Sequence, residues 1–436
     1  MTEEVTVEFA RAIQGAGGRV LEAGGAVRDR LLGRPPRDAD LEVYGLPPDA
    51  LEQVIARFGP VHKVGARLGV YVLRGVEIAL PQGPGGVEDP FLPPEQAARR
   101  RDLTVNALLR DPLSGEMLDF FGGERDLDRR RLRHVDPQTF AEDPLRLLRV
   151  VRLHAELGFA VEPSTAALCR GLTLAGAAWE RIGRELERWL LGALRPGRGL
   201  DALIYCGAER EFPGLRRLLG CPMPPGWDAD AWGQTRAVLN TAAARCPGER
   251  SRDWPLMLAA LLQSGGRPDV TRLRAGRTRS AGHAGVAATR VPLFLGGVDQ
   301  GRALARTVAG LVETQGAVEG LAARGAGRPA YRRLARAVDS DLLLRLAGAI
   351  HAGRRGEGSP FPAGEVARAI WREEDLLGKA PRPLLRGGDL AGLGVEPGPA
   401  MGRWLEAAFQ AQLDGAFADR EGARAWLARA LGRRSD

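Results

Sequence analysis

Residues 24–45 read GGAVRDRLLGRPPRDADLEVYG. The pair Gly24-Gly25 ends an apolar run of Val20, Leu21 and Ala23, and Arg28 and Asp29 follow at a helix start. After Pro35-Pro36, Asp38-Ala39-Asp40 leads into Leu41, Val43 and Tyr44. Strand side chains alternate between faces, so Asp38 and Asp40 point the same way. Two adjacent carboxylates are costly unless a cation neutralises them, and Mg²⁺ takes carboxylate oxygens together with substrate phosphates. The glycine turn lets the backbone approach a phosphate, the helix start favours its negative charge, and Arg28 adds a fixed cationic fork. A DxD tripeptide alone is most often a solvated strand end. The whole stretch reads as a site for a metal-bound triphosphate, with Asp38 and Asp40 as metal ligands.

The length of 436 residues allows two to four domains. A net charge of +8 favours a polyanionic partner. Arginine outnumbers lysine 60 to 2, however, so base composition of the gene is a second source of that charge. Cys169, Cys206, Cys221 and Cys246 show no CxxC spacing, which speaks against a zinc site or a disulfide framework. The N-terminus lacks a basic-then-apolar leader pattern and no apolar run approaches membrane length, so a cytoplasmic enzyme with no membrane partner is expected.

Periodicity predicts a short helix leading into the first strand over 1–20, a turn and helix over 24–34, and a strand over 38–44. A helix over 48–58 follows, then strands over 61–64 and 70–80 with a turn near Gly75. Residues 81–94 are rich in Gly and Pro and read as a loop; 95–107 reads as helix and 116–121 as strand. From Phe140 onward helical patterns dominate. The expected class is α+β: a small mixed-sheet head over 1–138, then an all-α neck over 139–197, body over 198–355 and tail over 356–436.

Two further clusters carry chemistry. Arg99-Arg100-Arg101-Asp102 offers cations for a triphosphate and, in Asp102, an acceptor for a ribose hydroxyl, which would favour ribonucleotides. Residues 142–152 read EDPLRLLRVVR, with Pro144 suited to a first helical turn. Asp143, Arg146, Arg149 and Arg152 are three apart and line one face, and three arginines there repel unless an anion sits among them. Asp143 and Arg146 place an acceptor beside a fork of donors, which suits cytosine and adenine and rejects uracil and guanine.

These motifs, in this order, resemble the class II family of CCA-adding tRNA nucleotidyltransferases and poly(A) polymerases. RRRDLTVNA at 99–107 is similar to the family's RRDFTINA, and Glu142-Asp143-Pro-Leu-Arg146 to its EDxxR. Asp119–Leu127 is similar to DPFGGxxDL, where Gly122 and Gly123 imply either a hinge or a tight turn. Glu180–Leu186 is similar to the ERIxxEL segment that buttresses the template helix. The resemblance implies a polymerase-β-like head whose Asp38 and Asp40 hold two Mg²⁺ ions, about 4 Å apart in such sites. It implies nucleotide binding by Gly25, Arg28, Arg101, Asp102, Asp143, Arg146, Arg149 and Arg152. Glu77 is either a third carboxylate near the metals or plain strand polarity. The partners implied are the tRNA 3′ end, CTP and ATP.

The sequence departs from the family in two places. After VEIALP the family usually carries an Arg and a longer basic loop, whereas here Gln82 is followed by a shorter GPGGVED. A short loop is characteristic of members that stop after two cytidines, so a CC-adding enzyme with a separate A-adding partner is expected. Over 227–266 the text resembles a degenerate HD phosphohydrolase domain, and none of the five histidines is followed by Asp. The rival expectations are a poly(A) polymerase, which shares the head motifs, a catalytically silent RNA-binding relative, and a small-molecule nucleotidyltransferase.

Overall fold

The computed structural model describes residues 3–35, 40–60, 62–64, 70–274, 277–298 and 301–432. By its internal contacts the chain parts into two compact units, one of Met1–Trp189 with Arg198–Glu211, the other of Leu190–Gly197 with Phe212–Asp436.

The first unit is built on a seven-stranded sheet of order β3-β4-β5-β2-β1-β6-β7. Its strands are β1 (Arg19–Ala23), β2 (Asp40–Tyr44), β3 (His62–Val64), β4 (Val70–Leu73), β5 (Val76–Ala79), β6 (Leu109–Arg110) and β7 (Met117–Leu118). β1 and β2 pair antiparallel, with Ala23 opposite Asp40 and Leu21 opposite Glu42. β2 and β5 pair parallel, with Asp40 opposite Glu77. The β4–β5 hairpin turns at Arg74 and Gly75, both at positive φ, which is the backbone a two-residue hairpin needs.

Alternation assigns one face of β2 to the core. Leu41 and Val43 join Val20, Tyr71, Leu73, Val76 and Ile78 beneath helices α1 (Glu3–Gly15) and α3 (Pro48–Ile55). Phe9, Ile13, Leu51 and Ile55 close that layer fully buried, each contributing roughly 1.5–3 kcal/mol. The opposite face carries Asp40, Glu42 and Tyr44, and is covered in part by Leu92, Ala97, Ala98 and Ala107.

Helix α2 (Gly25–Leu31) leaves the end of β1, and helix α4 (Pro94–Arg99) precedes the polar segment 100–102. The sequence predicts one helix over 95–107; the chain instead breaks after Arg100 and resumes as a 3₁₀ turn at Thr104–Asn106. Asp102 causes the break, because its own carboxylate accepts from the Leu103 amide at 2.7 Å, a local bond that competes with the helical ladder. Leu103 is extended and bridges His134, and the Thr104 amide donates to the Arg133 carbonyl.

Helix α5 (Gly123–Asp128), helix α6 (Pro137–Ala141) and helix α7 (Arg146–Leu157) follow. α7 begins two residues past Pro144 and buries Leu147, Leu148, Val150, Val151 and Leu153. After α8 (Pro163–Gly171) comes α9 (Trp179–Gly192), which supplies Glu185 to the neighbouring face of α7.

Among its described residues the second unit is helical apart from an antiparallel hairpin, Arg272–Arg274 with Arg277–Arg279, and a Pro222–Asp230 bridge. Its last segment has its own core of Leu385, Leu390, Ala408, Ala423 and Leu427. Among the described residues no helix is long and apolar enough to cross a membrane. The α+β head followed by helices matches the class expected from the sequence.

Candidate active site

Three consecutive residues tie the polar face of the sheet to helix α7. The Arg100 carbonyl accepts from Arg146, the Arg101 guanidinium donates to Glu42, and Asp102 receives Arg149 at 3.4 Å. Elements from β2 and α7 that are far apart in the chain therefore converge on one segment.

On the sheet side, Asp40 and Glu77 lie in register on adjacent strands, so both carboxylates rise from one face. Asp38, the other predicted metal ligand, falls outside the described residues. Arg101 crosses above Gly24, where an added Cβ would lie 2.7 Å from its Nη1 and 3.6 Å from Asp40 Oδ2. Gly24 has φ 72° and ψ −132°, a conformation that only glycine adopts at ease. Burial weakens the Arg101 charge, but Glu42, Tyr44 and Asp40 more than offset it and hold the guanidinium firmly protonated. Tyr44 donates to Glu42 at 2.6 Å, and burial with that neighbouring carboxylate raises its phenol far above the usual range. Neither Glu42 nor Tyr44 was singled out from sequence. Their signal was the same strand alternation that places Asp40.

Between sheet and helix runs a relay of buried polar groups. Arg28 donates to Asp29 at 2.9 Å and to Asn106 Oδ1 at 2.8 Å; Asn106 donates to Asp102 at 3.0 Å. Burial would raise the Asp102 carboxyl, but the Arg149 charge, the Asn106 amide and the Leu103 amide hold it below its ordinary value. A carboxylate accepts about four hydrogen bonds, so Asp102 has capacity left for a ligand hydroxyl. Gly25 opens α2 next to Arg28, with its Cβ position 3.5 Å from that guanidinium.

On the neck side, the anion that the arginine stripe requires is Glu185. It accepts from Arg149 at 3.4 Å and from Arg152 at 2.9 Å, while Glu156 takes the other edge of Arg152 at 3.2 Å. The repulsion inferred from spacing is thus relieved by protein carboxylates, and it does not by itself require a bound anion. Asp143 and Arg146 are engaged separately. Asp143 accepts from the Leu145 amide at 3.1 Å and from Arg181 at 2.9 Å; Arg146 donates to the carbonyls of Thr139, at 2.6 Å, and Arg100. Burial lowers the Arg146 pKa, partly offset by Asp102 and Asp143. Glu142 fixes Arg100 at 2.7 Å.

Gly122 and Gly123 read as a turn rather than a hinge. Asp119 caps the start of α5 through the Gly123 amide at 2.7 Å. Gly122 is left-handed, and a Cβ on Gly123 would meet the Thr104 carbonyl. The loop after β5 is likewise closed: Asp89 N donates to Pro81 O at 2.9 Å and Gly83 N to Val87 O at 2.8 Å.

The donor set fits Mg²⁺ in kind, since Asp40 and Glu77 offer hard oxygens beside a cation suited to phosphate. Among the described residues no three His, Cys, Asp or Glu side chains gather around one point, and Asp38 is not among those residues.

The Poly A polymerase head domain family matches residues 88–133, which carry the 100–102 segment and the α5 turn. The "Multifunctional CCA protein" of Nitrosococcus oceani is 40% identical over 234 residues, 50% of this chain and 57% of that protein. That of Alkalilimnicola ehrlichii is 37% identical over 256 residues, 55% of this chain and 61% of that one. The chain thus spans about 57% of the length of the first of these relatives. The Bacillus stearothermophilus CCA-adding enzyme, solved with CTP, aligns over 99% of this chain and 98% of its own at 25% identity, with a TM-score of 0.67. The Thermotoga maritima CCA-adding enzyme, solved with tRNA, aligns over 98% and 95% at 18% identity, with a TM-score of 0.57, a likeness of fold.

Proposed function

We propose, from the premise that the chain belongs to the family of CCA-adding nucleotidyltransferases and poly(A) polymerases, that it extends the 3′ end of tRNA by template-independent nucleotidyl transfer. The observation that carries this reading is the 100–102 segment, which links Arg101, beside Asp40 on the sheet, to Asp102 and Arg149 on the neck helix. A triphosphate over Arg101 would leave its sugar near Asp102 and its base towards Asp143 and Arg146.

Asp38 and Asp40, with Glu77 alongside, would hold Mg²⁺, which lowers the pKa of a terminal hydroxyl and neutralises pyrophosphate when bound. The chain's own part is positioning and charge. Arg101 and Arg28 hold phosphates, Asp102 accepts a ribose hydroxyl, and Asp143 and Arg146 read the base edge. For Arg146 this requires the use of donors beyond the two given to carbonyls. Arg149 and Arg152 stiffen that helix through Glu185. The four-part division into head, neck, body and tail belongs to this reading, with the helical body receiving tRNA by shape.

The closed 81–89 loop supports CC addition, with ATP used by another enzyme. The rival CCA activity is favoured by the names of the relatives, and the poly(A) rival by the matched head domain. The test is to sequence the 3′ ends made on a truncated tRNA with CTP alone, ATP alone, and both. Two added cytidines and no adenosine are expected. Addition of a terminal A overturns the CC reading, homopolymeric A overturns the tRNA reading, and no extension overturns the activity.

A further inference from the structure

Arg267, in the second unit, is 6% exposed, yet its guanidinium donates to no acceptor among the described residues. It stands over the Trp227 ring, with Cζ 5.5 Å from the centroid, and close enough to His283 for its charge to depress that imidazole. The nearby carboxylate, Asp269, is turned to Arg217 at 2.7 Å and to Arg290 at 2.6 Å. Cys221 is the one group whose charge would favour the Arg267 cation, and a neutral thiol supplies none. Two residues just before this cation in the chain offer more orphaned polar atoms. Ser264 Oγ and Gln263 Nε2 are buried without a partner, in the same turn that returns the Arg267 amide to the Ser264 carbonyl at 2.9 Å. Arg354 lies 4.9 Å from the same indole; it donates to Glu319 at 2.9 Å, while its Nε is buried without a partner.

A buried cation without a counter-charge is among the costliest arrangements a fold can hold. An uncompensated charge followed back along the chain by orphaned donors matches what an oxyanion would satisfy. We propose that Gln263, Ser264 and Arg267, walled by Trp227 and Arg354, form a built site for a small phosphate-type oxyanion. Arg267 supplies the charge and a planar fork, and Ser264 a hydroxyl donor. The depth of Arg267 selects a free or terminal phosphate over an RNA phosphodiester, whose flanking nucleosides could not follow it inside. The site does not depend on the proposed nucleotidyl transfer, since each of its residues belongs to the second unit.

The experiment is calorimetric titration of the full chain with inorganic phosphate, with pyrophosphate, and with a short single-stranded RNA, on the native protein, Arg267→Met, Arg267→Lys and Ser264→Ala. Native protein is expected to bind phosphate or pyrophosphate saturably, and not to exchange it for RNA. Arg267→Met removes that component, Arg267→Lys weakens it roughly tenfold to a hundredfold, and Ser264→Ala weakens it less. Removing an unpaired buried charge also raises the unfolding midpoint of Arg267→Met in phosphate-free buffer. The proposal is overturned if native protein shows no saturable component, if Arg267→Met retains it, or if RNA displaces it. Should Arg267→Met fail to fold, Ser264→Ala decides alone: undiminished binding there sinks the site.

Discussion

Asp102 and Arg149, 47 residues apart in sequence, meet at 3.4 Å and join the segment after α4 to the middle of α7. Asp102 is 5% exposed and Arg149 more open, so the energy sits mainly in keeping the carboxylate satisfied. Asp102→Ala should destabilise the first unit by about 2 kcal/mol, measured by urea unfolding. The folded carboxyl lies below its ordinary value, so its stabilisation is present above about pH 4 and fades as pH falls through the folded pKa. An acid-unfolding curve unchanged by Asp102→Asn would show that the pair contributes nothing.

Asp40 stands opposite Glu77 on β5. If this face binds the metals of nucleotidyl transfer, Asp40→Asn should lower CMP incorporation by at least about 10²–10³-fold. The thermal midpoint should hardly move, because Asp40 lies at a strand end. Glu77→Gln run beside it separates the two readings of Glu77: a loss of similar size marks a metal ligand, and near-native rates mark strand polarity.

Glu185 holds two arginines and is 6% exposed. Glu185→Gln leaves Arg149 and Arg152 facing each other with one carboxylate fewer, at an expected cost of about 3 kcal/mol. In a double-mutant cycle with Arg152→Met the losses should be non-additive by about 1 kcal/mol or more. Strict additivity in urea unfolding would mean the two side chains act independently.

Gly24→Ala combines a positive φ with a Cβ 2.7 Å from Arg101 Nη1. It should cost about 1–3 kcal/mol and displace Arg101 from Asp40. Gly75→Ala, also at positive φ but with open space around it, is the control for strain alone. If the chain uses CTP as proposed, a larger rise in KM for CTP in Gly24→Ala than in Gly75→Ala is the expected readout.

His283 is pushed down to about 4 by burial first and by the Arg267 charge second, despite its bond to the Ser280 carbonyl. A depressed histidine is neutral in the fold while the unfolded chain takes up a proton near pH 6.5. Stability of the second unit should therefore fall as pH drops from about 6.5 towards 4, by up to about 3 kcal/mol. His283→Gln should flatten that decline in pH-dependent thermal scans, and an identical slope in both proteins would exclude the histidine as its source.

β2, β4, β5 and the first helices were legible because their patterns are strictly periodic: Leu41 and Val43 against Asp40 and Glu42, or Leu51, Val54 and Ile55 on one helical face. The two-residue strand β6 was not anticipated, and the strand expected over 116–121 is only Met117–Leu118. The break at Asp102 was not legible, because a side chain's bond to its own neighbour leaves the apolar pattern of 95–107 untouched. The candidate site was legible as a set of charged residues in order, while their partners were not. Glu185 is remote in sequence; the resemblance of 180–186 to ERIxxEL points to a buttress for this helix, but not to Glu185 as the neutraliser of Arg149 and Arg152. Arg146 reads as a free donor fork in sequence, and only folding brings the Thr139 and Arg100 carbonyls to it.

The relay from Arg28 through Asn106 and Asp102 to Arg149 and Glu185 also sets where this chain can be cut and recombined. A chimera joined near residue 138 would pair Asp102 and Arg100 with a foreign helix and cut the relay at its Asp102–Arg149 link. A junction placed beyond Glu211 carries donors and acceptors across together and keeps the first unit whole, so grafts of a new second unit belong there, and helix-for-helix exchanges inside the first unit must bring residues 100–106 with them.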